Sequence, residues 1–232
     1  MRETSISENL ILRSAPSARI GKLKRVSFET GEHFWPAESA RHSVLFPVRG
    51  VVSLQIVTDG GKPAQAALVG HEGFAEVSFL FGARRTRAGA IALTDGEAVM
   101  MEAGEFRVCL DNSRFRAAVH QYSLTFLWML YHMGVCNRIH VFDKTLVGRL
   151  LLMQDRTGSD HFDLTQDFFS RILGVRQATV SRAAANLQKV GGIRYERRGR
   201  VTILDRRELE KQACPCYRSL KSDFDGLISA LK

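Results

Sequence analysis

No uninterrupted apolar run in these 232 residues approaches the ~20 residues that a membrane-spanning helix needs. No charged segment followed by an apolar one opens the chain either, and a cytoplasmic protein with no membrane partner is expected. The Walker phosphate loop, the GxGxxG turn, HExxH and the GxSxG elbow are all missing, which argues against an enzyme. Cysteine is scarce, with only Cys109, Cys136, Cys214 and Cys216. These are scattered except for Cys214-Pro215-Cys216, a spacing too tight for a comfortable mutual disulfide, so free thiols in a reducing compartment are expected. No second ligand pair with zinc spacing is read beside that pair, and no metal is expected. The seven histidines are dispersed, which leaves a metal-dependent small-molecule enzyme without clustered ligands.

What is present is an ordinary globular composition, 45% apolar, enough for a substantial core in one large or two modest domains. The net charge of +9 is unevenly placed. Residues 1–144 hold 17 basic and 14 acidic side chains, whereas residues 145–232 hold 16 and 10. The smaller part therefore carries most of the excess, as a polyanion-binding module would.

Within that part, Leu164 to Asp205 reads as two short helices followed by a basic hairpin. Phe169, Ile172 and Leu173 fall on one face of the first helix, Gly174 supplies the turn, and Val180, Ala183, Ala184 and Leu187 give the second helix its buried face. Small Ser170 suits a close crossing of the two. The polar face of the second helix carries Arg176, Gln177, Thr179, Ser181 and Arg182, a donor-rich set suited to base edges in a major groove. Gly191-Gly192 ends that helix. Ile193 to Glu196 and Val201 to Leu204 are strand-like, with Arg197-Arg198-Gly199-Arg200 as the turn between them. Thr165, Lys189, Arg197, Arg198 and Arg200 are the expected phosphate contacts.

At these residues the chain resembles the Crp/Fnr family of bacterial transcription regulators. The resemblance is carried by Leu164-Thr165, Ile172-Leu173-Gly174, Thr179-Val180-Ser181-Arg182 and Ile203-Leu204-Asp205-Arg206 with Leu209. It extends upstream through most of the chain, more faintly in the first 110 residues. It implies an α+β fold in three parts: a cupin-like β-roll sensor of the cyclic-nucleotide-binding type (1–111), a long dimerisation helix and hinge (112–141), and a winged helix-turn-helix with a C-terminal tail (142–232). The family's usual base-reading Glu aligns with Ala178, so its operator is not carried over. Gln177 can still pair with adenine and Arg182 with guanine.

The residues alone support the same layout. From Lys24 to Met101 short runs such as Ser43 to Pro47, Val51 to Thr58, Ala64 to Val69 and Ala98 to Glu102 alternate with turn groups including Arg49-Gly50, Asp59-Gly60-Gly61 and Asp95-Gly96, the pattern of a sandwich or barrel. Residues 1–23 read as a short helical lead-in. A long helix is predicted from Asn112-Ser113 to about His140. Phe115, Val119, Tyr122, Phe126, Met129, Met133 and Cys136 follow heptad spacing and form the expected dimer seam. Leu124, Leu127, Leu130 and Tyr131 offer a second apolar face for docking on the β-roll. Residues Asn137 to Val141 read as the hinge and Lys144 to Asp155 as a further helix. The tail carries Phe224, Leu227, Ile228 and Leu231 on one stripe and is expected to supply packing, not chemistry.

The family holds cyclic nucleotides with a Gly-Glu pair, then an Arg followed by a small residue, the Glu taking a ribose hydroxyl and the Arg the phosphate. The nearest match is Ala75-Glu76 with Arg85-Thr86, and Glu76, Arg85 and Thr86 are the candidate effector-binding residues. Alanine replaces the glycine and the spacing is about one residue short, so a cyclic nucleotide is not the favoured effector; a structural or solvated ion pair, or another ligand, accounts for the same residues. No cofactor is expected. The reading is a homodimeric, sequence-specific regulator on a palindromic operator, with RNA polymerase as a further partner if it activates. The competing readings are a winged helix that binds protein instead of DNA and, third, a cupin-like small-molecule enzyme.

Overall fold

The computed structural model describes residues 8–20, 23–40, 43–57, 61–196 and 198–232. The lead-in is helical only in pieces, a 3-10 turn at Leu12–Ser14 and the short α1 (Ser17–Ile20); residues 1–7 and 21–22 lie outside the described residues. Buried Asn9 fastens this lead-in to the β-rich part of the chain. Its amide donates to the carbonyls of Pro47 (2.7 Å) and Gly73 (2.8 Å), and its side-chain oxygen accepts from the N–H groups of Ile11 and Leu12.

Seven strands come next: β1 (Lys24–Phe28), β2 (His33–Trp35), β3 (Ser43–Arg49), β4 (Val52–Val57), β5 (Pro63–Val69), β6 (Gly89–Ala92) and β7 (Gly96–Glu102). They form two antiparallel sheets, ordered β1-β7-β3 and β2-β6-β4-β5, whose apolar side chains belong to one core. This is the expected β-roll. Of the predicted Asp59-Gly60-Gly61 turn, Asp59 and Gly60 lie outside the described residues. Strand β3 is buried along nearly its whole length, because helices cover the face that would otherwise meet water.

Those helices are α2 (Ala103–Cys109) and α3 (Ser113–Ile139). Asn112 caps α3 by accepting the Phe115 N–H at 3.0 Å. At 27 residues α3 runs about 40 Å. Phe46, Phe74, Phe106, Phe115, Tyr122 and Phe126 form a chain of aromatic contacts with ring centroids 4.9–6.3 Å apart, and the Tyr122 hydroxyl donates to the Phe74 carbonyl at 3.0 Å. A Cβ on Gly73 would fall 1.8 Å from the Tyr122 ring, so this loop must carry glycine for the helix to seat.

This packing reverses the expected roles of the two faces of α3. Phe115, Val119, Tyr122, Phe126, Met129, Met133 and Cys136, predicted as the dimer seam, are all 8% exposed or less within a single chain. The aromatic cluster and the close approach at Gly73 claim them for the interior. Leu124, Leu127, Trp128, Tyr131, Val135 and Ile139 instead lie on the outside, 40–66% exposed. Helix α3 ends at Ile139, close to the predicted end near His140, and the chain breaks at His140 and Val141, whose backbones are extended, within the predicted hinge.

Beyond that break stand α4 (Phe142–Thr157), β8 (His161–Asp163), α5 (Gln166–Leu173), α6 (Gln177–Lys189), β9 (Ile193–Tyr195), β10 (Arg200–Ile203), α7 (Arg206–Gln212) and α8 (Pro215–Leu231). Arg206 ties three helices together, pairing with Asp155 (2.6 Å) of α4 and Glu210 (2.9 Å) of α7 and donating to the Tyr217 hydroxyl (2.7 Å) of α8. A buried ion pair, Arg156 Nε to Glu72 Oε1 at 2.8 Å, joins α4 to the loop after β5. The same guanidinium stacks 4.5 Å from the centre of the Phe224 ring. Among the described residues no helix is long and apolar enough to cross a membrane.

Candidate nucleic-acid interface

Helices α5 and α6 are built as their spacing predicts. Phe169, Ser170 and Ile172 of α5 are buried, as are Val180, Ala183, Ala184 and Leu187 of α6. Thr165 caps α5 by accepting the Phe168 N–H at 3.1 Å. Gly174 ends α5 at φ +68°, where a side chain would be strained, and its N–H and that of Val175 close the turn onto Arg171 and Ser170. The result presents the N-terminal end of α6 outward.

On that end Arg176, Gln177 and Arg182 are exposed and make no side-chain bond among the described residues, while Thr179 is half-buried. Ser181 is less available than expected, because its hydroxyl donates to the Gln166 side chain across the two helices. Between Asp167 and Glu196 there is no acidic residue, whereas Arg171, Arg176, Arg182, Lys189 and Arg194 are all basic. Of these, Arg171 pairs with Asp167 at 3.2 Å, while Arg176 and Arg182 have no carboxylate partner among the described residues.

The wing is larger than the sequence pattern indicated. Strand β8, which was not anticipated, pairs with β10 and gives a three-stranded sheet, β8-β10-β9. Arg200 lies opposite Asp163 and holds it through two bonds, at 2.8 and 3.0 Å. That pairing keeps the Asp163 carboxyl below its usual pKa and leaves Arg200 a partnered strand residue, not the free phosphate contact expected. Arg198 at the tip and Lys189 at the end of α6 are exposed, whereas Arg197 lies outside the described residues.

The effector residues line a cavity of about 320 Å³ together with Ser78, Arg87, Phe126 and Leu130. Glu76 adopts a left-handed φ of +78° and is buried. Its carboxylate accepts from the hydroxyls of Thr86 (2.5 Å) and Ser78 (3.2 Å). Arg85 is exposed and turned elsewhere, donating to the Glu38 carbonyl at 2.6 Å. The structure therefore brings Glu76 and Thr86 together and does not bring Arg85 to Glu76. Ala75, which stands where the family has glycine, sits in the core with its N–H on the Leu45 carbonyl, away from the cavity lining.

One constellation escaped the sequence reading. Cys136 and His140, one turn apart at the end of α3, meet Cys214 and Cys216 at the start of α8, with all four ligand atoms within 4.8 Å of one another. The second pair missing from the zinc pattern is this i, i+4 Cys-His, which the heptad and hinge assignments had absorbed.

Residues 146–212 match the family of Crp-like helix-turn-helix domains. No curated protein matches the chain in sequence. Among solved structures, FixK2 from Bradyrhizobium japonicum is 17% identical with a TM-score of 0.64, over 83% of this chain and 98% of its own. A crp/fnr-family transcriptional regulator from Eubacterium rectale is 17% identical with a TM-score of 0.63, over 89% and 98%. The c-di-GMP responsive regulator CLP from Xanthomonas campestris is 12% identical with a TM-score of 0.62, over 82% and 100%. At such identities the likeness establishes the fold and nothing finer.

Proposed function

Starting from a chain with the fold of Crp/Fnr regulators and a Crp-like helix-turn-helix domain, that is, from a DNA-binding transcription regulator, we propose a homodimeric, cytoplasmic, non-enzymatic protein that reads a palindromic operator and whose DNA affinity follows a signal at the β-roll. The observation that carries the reading is the exposed N-terminal end of α6, where Arg176, Gln177 and Arg182 stand unpaired among the described residues on a helix that carries no acidic residue. Gln177 and Arg182 supply base-edge contacts, and Lys189 and Arg198 supply phosphate contacts. RNA polymerase is a further partner where the operator lies so as to activate.

Dimerisation takes place through the outward face of α3. Leu124, Trp128, Tyr131, Val135 and Ile139 recur at intervals of three and four, with Leu127 beside them, making one apolar stripe along the helix, with Trp128 and Tyr131 in edge contact at 5.6 Å. A helix that packs on its own roll with one face and exposes such a stripe on the other is suited to meeting its twin about a two-fold axis, which would match a palindromic site. Selection of bound genomic fragments by the purified protein, followed by titration of a recovered site at several salt concentrations, tests the function. Binding whose affinity falls steeply with salt and exceeds that for unrelated DNA is expected; absence of any salt-dependent affinity would favour a winged helix that binds protein.

A further inference from the structure

We propose that Cys136, His140, Cys214 and Cys216 bind one zinc ion, fastening the end of the long helix α3 to the start of α8. The Cys136 and Cys214 sulfurs are 3.5 Å apart and Cys216 Sγ lies 3.8 Å from His140 Nδ1. In a tetrahedral site with Zn–S of about 2.3 Å and Zn–N of about 2.0 Å, the ligand atoms stand about 3.5 to 3.8 Å from one another. The observed pairs already have that separation. All three cysteines are buried, at 1–8% exposure, so the thiols are gathered where water would not hold them in place.

A second observation points to an anionic occupant. Arg149 of α4 is buried, and among the described residues its only side-chain bond is from Nη2 to the Asn137 amide oxygen at 3.1 Å. Its Nε has no partner, and no carboxylate pairs with it among the described residues. A buried guanidinium without a counter-charge is costly. Three thiolates, one neutral imidazole and Zn²⁺ carry a net charge of −1, which this cation would balance.

The donor set also selects the metal. Three thiolates and an imidazole suit zinc, whereas calcium and magnesium require oxygen ligands. Four donors leave no open position, the mark of a structural site. A multi-iron sulfur cluster would have to stand between the ligands and spread them beyond their 4.8 Å span. The position gives the ion a consequence. It spans the break at His140 and Val141 where the long helix hands over to the DNA-binding unit, so binding holds the two in one relative orientation.

The full-length protein, purified under reducing conditions, should carry about one zinc per chain, and Co²⁺ exchanged into it should show the thiolate charge-transfer and tetrahedral d–d bands of a sulfur-rich site. Competition with a chromophoric chelator should show Cys214→Ser and Cys216→Ser weakening zinc by at least about 100-fold, more than loss of an outer-sphere partner costs. Cys109→Ser, whose thiol is buried in α2 away from the cluster, should keep wild-type affinity. The cobalt spectrum of the wild type keeps the test valid should a serine variant fail to fold. No metal uptake by the reduced protein, retention of zinc in both serine variants, inorganic sulfide in the purified protein, or a Cys136–Cys214 disulfide whose reduction restores no zinc binding would each overturn the proposal.

Discussion

The two faces of α3 have much the same composition and opposite fates. Phe115, Tyr122 and Phe126 are locked into an aromatic cluster, whereas Trp128, Tyr131 and Leu127, on the same helix, stand in the open. Apolar content therefore does not determine which face seeks a partner outside the chain. What determines it is shape on the other side: Gly73 leaves a hollow that fits the Tyr122 ring, and no element of the described chain approaches Trp128 in that way. The polar groups divide similarly. At the β-roll Glu76, Ser78 and Thr86 satisfy one another, while at α6 Arg176, Gln177 and Arg182 project unpaired among the described residues. Inward groups hold the fold, and outward ones are available for binding.

The largest effect expected from this contrast is on the inward face. Phe115→Ala removes a ring buried to 0% exposure against Phe106 and should cost about 3–5 kcal/mol, read as a shift in the denaturation midpoint. A change within a few tenths of a kcal/mol would mean that the seam is not core and would restore it as the dimer face. On the outward face, Tyr131→Asp should leave the fold intact, since this side chain is 55% exposed, yet weaken the dimer by about 2 kcal/mol or more, the scale of an interface hot spot. Light scattering and circular dichroism separate the two results; an undiminished dimer would remove the stripe as the interface.

At the DNA face the effects are smaller and differ in kind. Arg182→Ala should cost about 1–3 kcal/mol on the cognate site and much less on unrelated DNA, as loss of a base contact does. Arg198→Ala should weaken both alike and lower the salt slope by about 1. Equal losses on both DNAs for Arg182→Ala would reassign it to the phosphates. Because Arg200 is already bound to Asp163, Arg200→Ala should change affinity less than Arg198→Ala, a ranking the hairpin sequence alone does not suggest.

The helix-turn-helix was legible because its signals are local: an apolar period on each helix and a glycine at the turn lie within a few residues of one another. Two other features were not. Strand β8 is three residues long and forms only by pairing with β10, almost forty positions away, so no local pattern marks it. The cysteine cluster joins Cys136 to Cys214 across 78 positions, and the heptad spacing of Cys136 offered a sufficient explanation of it as a core residue. The reversal on α3 has the same origin, since periodicity reveals two stripes and leaves their partners to tertiary packing.

The smallest expected effect concerns the sensor, where the internal satisfaction of Glu76 makes its own prediction. A cyclic nucleotide held in the family's manner would need the Glu76 carboxylate for a ribose hydroxyl and the Arg85 guanidinium for the phosphate. The first already accepts from Thr86 at 2.5 Å and the second is turned to the Glu38 carbonyl, so binding would have to break one contact and redirect the other. A ligand shifts a conformational equilibrium only by its difference in affinity for the two states. Cyclic AMP and cyclic GMP should therefore leave DNA affinity unchanged. Calorimetry with each nucleotide, repeated in the presence of a cognate site, provides the measurement. Micromolar binding coupled to tighter DNA affinity, both lost in Arg85→Ala, would show that these contacts rearrange and that the cavity is a cyclic-nucleotide site after all.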